Sequence, residues 1–91
     1  SAMAIGFVQA TVEGLAADVA WVVTPGWQGR GMATEAAEAM CGWLTSTGVV
    51  TLTAHVHPEH AASLAVASRI GLVSTAELDD DGELVWRSSP S

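Results

Sequence analysis

The chain has 91 residues, a length that allows one small domain, and its composition of 49% hydrophobic and 14% charged residues is too apolar for a disordered segment. No apolar run approaches the roughly 18 residues of a membrane span, and a net charge of −7 disfavours nucleic acid, so we expect neither a membrane nor a nucleic-acid partner. The single cysteine, Cys41, excludes an internal disulfide and a thiolate zinc cluster, and the cytoplasm is the expected compartment.

The N-terminal half predicts two strands and a helix. Residues 5–12 are rich in β-branched and aromatic types, and residues 18–24 form a second run of this kind, so together they predict an antiparallel hairpin. Pro25 and Gly26 then stop the second strand. Apolar residues recur with helical spacing over 32–46. They are Ala33, Ala36, Ala37, Met40, Trp43 and Leu44.

The C-terminal half begins with a strand and a helix. Residues 49–56 predict a third strand, and residues 61–70 predict a second helix that Gly71 ends. One face of the third strand is expected to be buried. Its members are Val50, Leu52, Ala54 and Val56.

Two last strands are predicted at 73–78 and 83–87, flanking an Asp81-Gly82 dipeptide that is typical of a type I′ hairpin turn. The order is therefore β-β-α-β-α-β-β. Because helices alternate with strands in the middle, two parallel strands should be joined by a helical crossover. The expected fold class is α/β, with a mixed and mostly antiparallel sheet.

A glycine-containing segment joins the second strand to the first helix. The leading NH groups of a helix lack internal partners, and the helix dipole favours an anion there. Gly29 and Gly31 remove the β-carbons that would keep a phosphate from the backbone, and Arg30 adds a cation. The segment therefore suits a pyrophosphate, although a strand–helix turn that needs glycine for its dihedral angles is an equally open interpretation.

Two motifs carry a resemblance to a known family. Residues 28–33, Gln-Gly-Arg-Gly-Met-Ala, resemble the Gln/Arg-x-x-Gly-x-Gly/Ala pattern of GNAT acetyltransferases, the acyl-CoA N-acyltransferase superfamily. Residues 60–63 and 66–72 resemble the Asn-x-x-Ser motif and the apolar helix of the branch that acetylates the N-termini of ribosomal proteins. The resemblance implies a single partial GNAT-like domain over 1–91, in which the family's first strand and first two helices have no counterpart.

The resemblance implies acetyl-CoA (coenzyme A) as the cofactor. Backbone groups of Val22, Val23 and Thr24 would pair with its pantetheine arm, and the NH groups of residues 29–33 would hold its pyrophosphate. Ser63 would lie near the thioester sulfur as a catalytic donor to the leaving thiolate, and Asp18 matches an acidic position where a base for the amine is often found. The remaining cofactor-binding residues that the resemblance implies are Gln28, Gly29, Arg30, Gly31, Met32, Ala33, Thr34 and His60.

Two functions stay open at this stage. The first is an N-acetyltransferase that acts on the amine of a protein N-terminus or of a small molecule. The second is a non-catalytic CoA-binding or dimeric interaction module that has lost the acceptor site. The chain has no tyrosine, so the tyrosine acid of many relatives is absent. The high apolar fraction predicts exposed apolar surface and a homodimer.

A histidine run offers a competing interpretation. Residues 55–60, His-Val-His-Pro-Glu-His, resemble the His-x-His-x-Asp-His run of metallo-β-lactamase-type hydrolases, and His55 and His57 would share one face of a strand. That fold needs a far longer chain and more ligands, and these are the only histidines here. We therefore predict no metal site and interpret His55 and His57 as solvated strand residues.

Overall fold

Six strands and two helices make up the described part of the chain. The computed structural model describes residues 2–5, 8–23 and 27–88, with side chains described over 8–23 and 31–88. The elements are β1 Ala2–Ile5, β2 Val8–Glu13, β3 Ala16–Trp21, α1 Trp27–Ser46, β4 Thr51–Val56, α2 Ala61–Arg69, β5 Leu72–Leu78 and β6 Leu84–Ser88.

The six strands form one sheet in the order β1-β2-β3-β4-β6-β5. Neighbouring strands are antiparallel except β3 and β4, which are parallel and are joined through α1. The predicted α/β class, the mixed and mostly antiparallel sheet and the helical crossover are thereby confirmed. Neither helix in this part of the chain is long and apolar enough to cross a membrane.

The predicted first strand over 5–12 is wrong, because two strands occupy this region. β1 ends at Ile5, β2 begins at Val8, and the two are antiparallel with Ile5 opposite Val8. Composition could not separate them, since β-favouring residues lie on both sides of the break. The observed order therefore begins β-β-β, with one strand more than the sequence predicted.

The predicted type I′ turn between β5 and β6 is also wrong. The NH of Asp79 donates to the carbonyl of Glu83 at 2.8 Å, and the NH of Gly82 donates to the carbonyl of Asp79 at 3.0 Å, which leaves a three-residue loop. Gly82 has φ 79°, but Ala76 is the one non-glycine residue with positive φ in the described chain, so Asp81 lacks the conformation that a type I′ turn needs. The Asp79 carboxylate stabilises the wider loop by accepting the NH groups of Asp81 and Glu83 at 2.8 and 2.9 Å.

Helix α1 is longer than predicted. The sequence predicts a helix over 32–46 preceded by a loop, whereas α1 spans Trp27–Ser46. Gly29 and Gly31 suggest a loop because glycine costs a helix about 1 kcal/mol relative to alanine, yet the buried face farther along the helix outweighs that cost. The helix ends at Ser46, two residues before Gly48, whose φ is 106°.

Both helices contribute to a core on one face of the sheet. The predicted face of α1 is confirmed at four positions that are 0% exposed. Trp43 was predicted on this face but is 47% exposed, beside the stripe. Val50 is 70% exposed because it precedes β4 and donates its NH to Leu15, outside the alternation of the strand. The four fully buried α1 residues are Ala33, Ala37, Met40 and Leu44.

Candidate functional site

The parallel strands β3 and β4 separate soon after they begin to pair. Their register runs from Ala16 opposite Thr51 to Asp18 opposite Thr53, and no further pair between them follows in the described chain. β3 continues to Trp21, while the rest of β4 pairs only with β6, on its other side. The last three residues of β3 therefore present a backbone edge to an open cleft.

A cavity of about 260 Å³ lies in this cleft. One wall is residues 19–23, at the end of β3, and the other is residues 55–57, at the end of β4. His60 and Ser63 contribute from the start of α2, and Glu83 from the hairpin loop. The cavity thus joins the free edge of one strand to the beginning of a helix.

Ser63 is a buried polar residue in the wall of the cleft. It is 6% exposed, and its Oγ lies 3.0 Å from Nδ1 of His60, the residue at the N-cap position of α2. A hydroxyl placed here can donate a hydrogen bond to an anion in the cleft or return to the imidazole when the cleft is empty. The structure therefore brings the predicted residues Ser63 and His60 together.

The predicted pantetheine-binding residues lie partly in this cavity. Val22 and Val23 both line it, the former exposed and the latter half-buried. The predicted strand over 18–24 is wrong at its end, since β3 stops at Trp21. Thr24 lies outside the described residues.

The predicted pyrophosphate segment is the first part of α1, not a loop. Gln28, Gly29 and Arg30 belong to the first turn, and their side chains lie outside the described residues. In a helix that begins at Trp27, only the NH groups of about the first turn lack carbonyl partners within the helix. The backbone donors available to an anion are therefore those near 27–29, rather than the full 29–33 run that the sequence predicts.

Gly31, Met32 and Ala33 follow in the second turn. Ala33 is fully buried and Met32 is 49% exposed. A β-carbon built on Gly31 would meet no atom within 4 Å, and its φ is not in the left-handed region. The fold itself does not require glycine at this position, so the interpretation of Gly31 as a residue needed for the angles of a turn is wrong.

A larger hollow of about 730 Å³ lies between α1 and α2. Two predicted cofactor residues, Gly31 and Thr34, line this groove and do not line the cleft. The predicted cofactor set is thus divided between the cleft and the groove. The other residues that line the groove are Glu35, Glu38, Ala65, Ser68 and Arg69.

Asp18 does not join Ser63 in the cleft. Its neighbours in the sheet, Ala17 and Val19, are buried under the helices, so its exposed side chain lies on the opposite face of the sheet. It stands opposite Thr11 on β2 and Thr53 on β4, at the point where β3 and β4 separate. Its role as a base stays a prediction.

A pairing that the sequence analysis missed lies at the edge of the same cleft. Nδ1 of His55 is 2.8 Å from Oδ2 of Asp79, and the two side chains are 38% and 20% exposed. The hydrogen bond from the NH of Glu83, together with those from His55 and from the NH of Asp81, holds the pKa of the Asp79 carboxyl below its usual value. The two residues are 24 positions apart, and they meet through the pairing of β4 with β6 and of β6 with β5, so no local sequence signal indicates the pair.

The histidines of residues 55–60 do not form a cluster of possible metal ligands in the described part of the chain. In the described chain, the one group of three or more ligand-type side chains whose ligand atoms lie within 4.8 Å of one another is Asp79, Asp81 and Glu83. None of the histidines belongs to that group. His57 instead accepts the NH of Glu59 at 3.2 Å.

Comparisons with known proteins agree on one family. The family model described as an acetyltransferase (GNAT) domain matches residues 2–73. An acetyltransferase from Agrobacterium tumefaciens str. C58 is 32% identical with a TM-score of 0.72, over 90% of this chain and 51% of that one. A GNAT-family acetyltransferase from Bordetella pertussis is 25% identical with a TM-score of 0.66, over 91% of this chain and 57% of that one.

The chain therefore spans about half the length of these two solved structures. A search of curated protein sequences found no significant match.

Proposed function

Because the chain belongs to the GNAT acetyltransferase family, we propose that residues 1–91 act as one partial domain that binds acetyl-CoA and transfers its acetyl group to an amine. The observation that carries this proposal is the separation of β3 from β4, which leaves a strand edge beside a buried serine. An extended amide chain such as pantetheine can pair with a free strand edge, as a peptide does when it adds to a sheet. The cleft fits the cofactor in this respect.

The phosphates would lie at the start of α1. The unpartnered NH groups of the first turn and the positive end of the helix dipole both favour a pyrophosphate there. Gly31 lies one turn farther along the helix and lines the groove between α1 and α2. Because it has no side chain, the cofactor would be able to pass close to the helix backbone on its way to this groove. In this arrangement the cofactor contacts the predicted residues of both the cleft and the groove.

The chemistry asks three things of the protein. Acetyl-CoA supplies an activated acetyl group as a thioester. The chain holds that group in the cleft, admits the amine in a reactive orientation, and assists the departure of the thiolate. Ser63 is placed to donate a hydrogen bond to a sulfur that develops negative charge, because its hydroxyl lines the cleft and has only the His60 imidazole as its partner in the described chain.

The acceptor would be a cationic amine, either a protein N-terminus or a small molecule. The net charge of −7 favours the approach of a cation. Glu83 adds an acidic side chain to the lining of the cleft. Charge alone does not choose between the two kinds of amine.

The second candidate is a non-catalytic CoA-binding or dimeric interaction module. It is favoured by the position of Asp18, the predicted base, away from the cavity that contains Ser63. It predicts acetyl-CoA binding without turnover.

A transfer assay separates the two candidates. Release of the CoA thiol from acetyl-CoA is followed with a peptide that carries a free N-terminus, with spermidine, and without acceptor. The enzyme predicts amine-dependent release that Ser63→Ala slows, with little change in the affinity for acetyl-CoA. Binding without amine-dependent release would favour the module, and the absence of both would remove the cofactor assignment.

A further inference from the structure

The cleft is lined by residues from both faces of the sheet. Ala54 and Val56 of β4 are buried beneath the helices, where Ser63 also lies. His55, between them on the strand, points to the opposite face and still lines the cavity. A ligand held on the helix side would therefore meet a second molecule that arrives from the side of His55.

We propose that His55 is the general base that takes the proton from the acceptor amine, and that Asp79 is the residue that positions it. The proposal rests on the acetyl transfer proposed above. It extends that function by assigning the base to the uncovered face of the sheet, in a pair of residues rather than at Asp18.

The hydrogen bonds of the pair define which nitrogen is available. Oδ2 of Asp79 lies 2.8 Å from Nδ1 of His55, so an ionised carboxylate there holds the proton on Nδ1. Nε2 then carries the free lone pair, and it makes no hydrogen bond within the described chain. A neutral imidazole with Nε2 free is the form that accepts a proton.

Asp79 is itself held in place by the hairpin loop. Its Oδ1 accepts the NH groups of Asp81 and Glu83 at 2.8 and 2.9 Å, which leaves Oδ2 directed to His55. The orientation of the imidazole is thus fixed through backbone hydrogen bonds. This is the role that a carboxylate plays when it orients a catalytic histidine.

The step balances without any further reactant. The amine arrives as a cation and first releases one proton to solvent, which frees the lone pair of its nitrogen. The neutral nitrogen then attacks the thioester carbonyl carbon, the new C–N bond forms, and the C–S bond breaks with its electron pair leaving on the CoA sulfur. Nε2 of His55 takes the proton that the nitrogen loses and passes it to solvent or to the departing thiolate. The products are an N-acetyl amine and CoA.

Other titratable groups lie on the elements around His55. Glu83 lines the same cavity, and Arg87 of β6 is 3.3 Å from Glu77 in an exposed ion pair. None of them donates to or accepts from the imidazole of His55 in the described chain. Asp18 lies on β3, and His57, Glu59 and His60 lie beyond the end of β4. Asp80 and Asp81 lie in the hairpin loop, where the carboxylates of Asp81 and Glu83 come within 4.8 Å of that of Asp79.

A purely structural role makes a different prediction. In that case the hydrogen bond between His55 and Asp79 only holds the hairpin loop against β4. Its loss would then lower the stability of the fold without changing the pH dependence of turnover. Each variant below therefore needs a kinetic readout and a melting curve.

The first test is His55→Gln and His55→Ala in the 91-residue chain, assayed with acetyl-CoA and the better of the peptide and spermidine acceptors. We expect kcat to fall by about 10²–10⁴-fold, with the KM for acetyl-CoA within about twofold of the parent. The acidic limb of the profile of kcat against pH that the parent shows should be absent in His55→Gln. Added imidazole should restore part of the activity of His55→Ala.

The second test is Asp79→Asn with Asp80→Asn as its matched control. Asparagine keeps Oδ1 for the two loop NH groups, but its amide nitrogen donates to Nδ1 and moves the imidazole proton to Nε2. We expect kcat to fall with little change in melting temperature. Asp80 is exposed and makes no side-chain hydrogen bond in the described chain, so Asp80→Asn should leave kcat unchanged.

The outcomes separate this proposal from the proposed function. If the parent transfers acetyl groups and His55→Gln keeps both its kcat and its pH profile, the base is elsewhere and only the present proposal is overturned. The same holds if Asp79→Asn and Asp80→Asn behave alike. If the parent binds acetyl-CoA in calorimetry but transfers to no amine up to pH 9, acetyl transfer and the role of His55 are overturned together.

Discussion

Gly31 lies on an exposed part of α1, and a β-carbon built there would meet no atom within 4 Å. Gly31→Ala should stabilise the helix by about 0.8–1 kcal/mol, because glycine is the poorer helix former. The same methyl group would stand where the proposed cofactor passes, so affinity for CoA should fall, and Gly31→Val should abolish binding. Urea unfolding and calorimetry measure the two effects separately.

Gly42 is a matched control for this substitution. It is an exposed glycine in the same helix, and a β-carbon there also meets nothing within 4 Å. Gly42→Ala should give a similar gain in stability with unchanged CoA affinity. Equal CoA affinity in Gly31→Val and the parent would show that no ligand approaches Gly31.

Cys41 gives a second prediction for a single residue. Its thiol is 7% exposed, and burial raises its pKa to about 11. In the folded protein it therefore stays protonated below about pH 11, and the thiolate that reacts with alkylating reagents is scarce at pH 8. Iodoacetamide should modify Cys41 slowly in buffer and rapidly in denaturant, as followed by mass spectrometry; fast modification of the folded chain would contradict the burial.

Helix α1 is the element on which the core depends most. Leu44 is 0% exposed, whereas its neighbour Trp43 is 47% exposed. Leu44→Ala should lower the free energy of unfolding by about 2–5 kcal/mol through the cavity it leaves, and Trp43→Ala should cost clearly less although it removes the larger side chain. Chemical denaturation gives the ranking, and a greater loss at Trp43 would place the tryptophan in an interface that the single chain does not contain.

Elements with a strong hydrophobic period were predictable from the sequence, and their ends were less so. The spacing of Met40 and Leu44 predicts the buried face of α1 because that face is long enough to decide the period. The start of α1 was not predictable, since Gly29 and Gly31 signal a loop locally and the burial that overrides them lies farther along the chain. The hairpin turn failed for a related reason: the Asp79 carboxylate, outside the two-residue signal, stabilises a wider loop.

In the candidate site, too, only contacts between residues close in sequence were predictable. Ser63 and His60 were predictable because they are three residues apart on one helix start, and the structure places them 3.0 Å apart. His55 and Asp79 were not, since their contact depends on the register between two strands and on the loop that follows. A sequence motif can thus find a local pair, but a pair formed across the sheet needs the fold.

Both helices pack on one face of the sheet, and no helix covers the opposite face within the described residues. The chain also exposes large apolar side chains, among them Leu15 at 63% and Val73 at 55%. We therefore predict that the chain forms at least a homodimer, because exposed apolar surface usually marks an interface. Light scattering over a concentration series measures this, and a monomer at the highest concentration would mean that a second copy does not cover that surface.

In the proposed function, the cleft and the start of α1 together bind acetyl-CoA. Isothermal calorimetry of the folded 91-residue chain with acetyl-CoA tests it most directly, with ATP as a control that carries phosphates but no pantetheine. We expect saturable heat with acetyl-CoA near one molecule per chain, much weaker binding of ATP, and loss of the acetyl-CoA signal in Gly31→Val. No heat with acetyl-CoA, in a sample that circular dichroism shows to be folded, would contradict it.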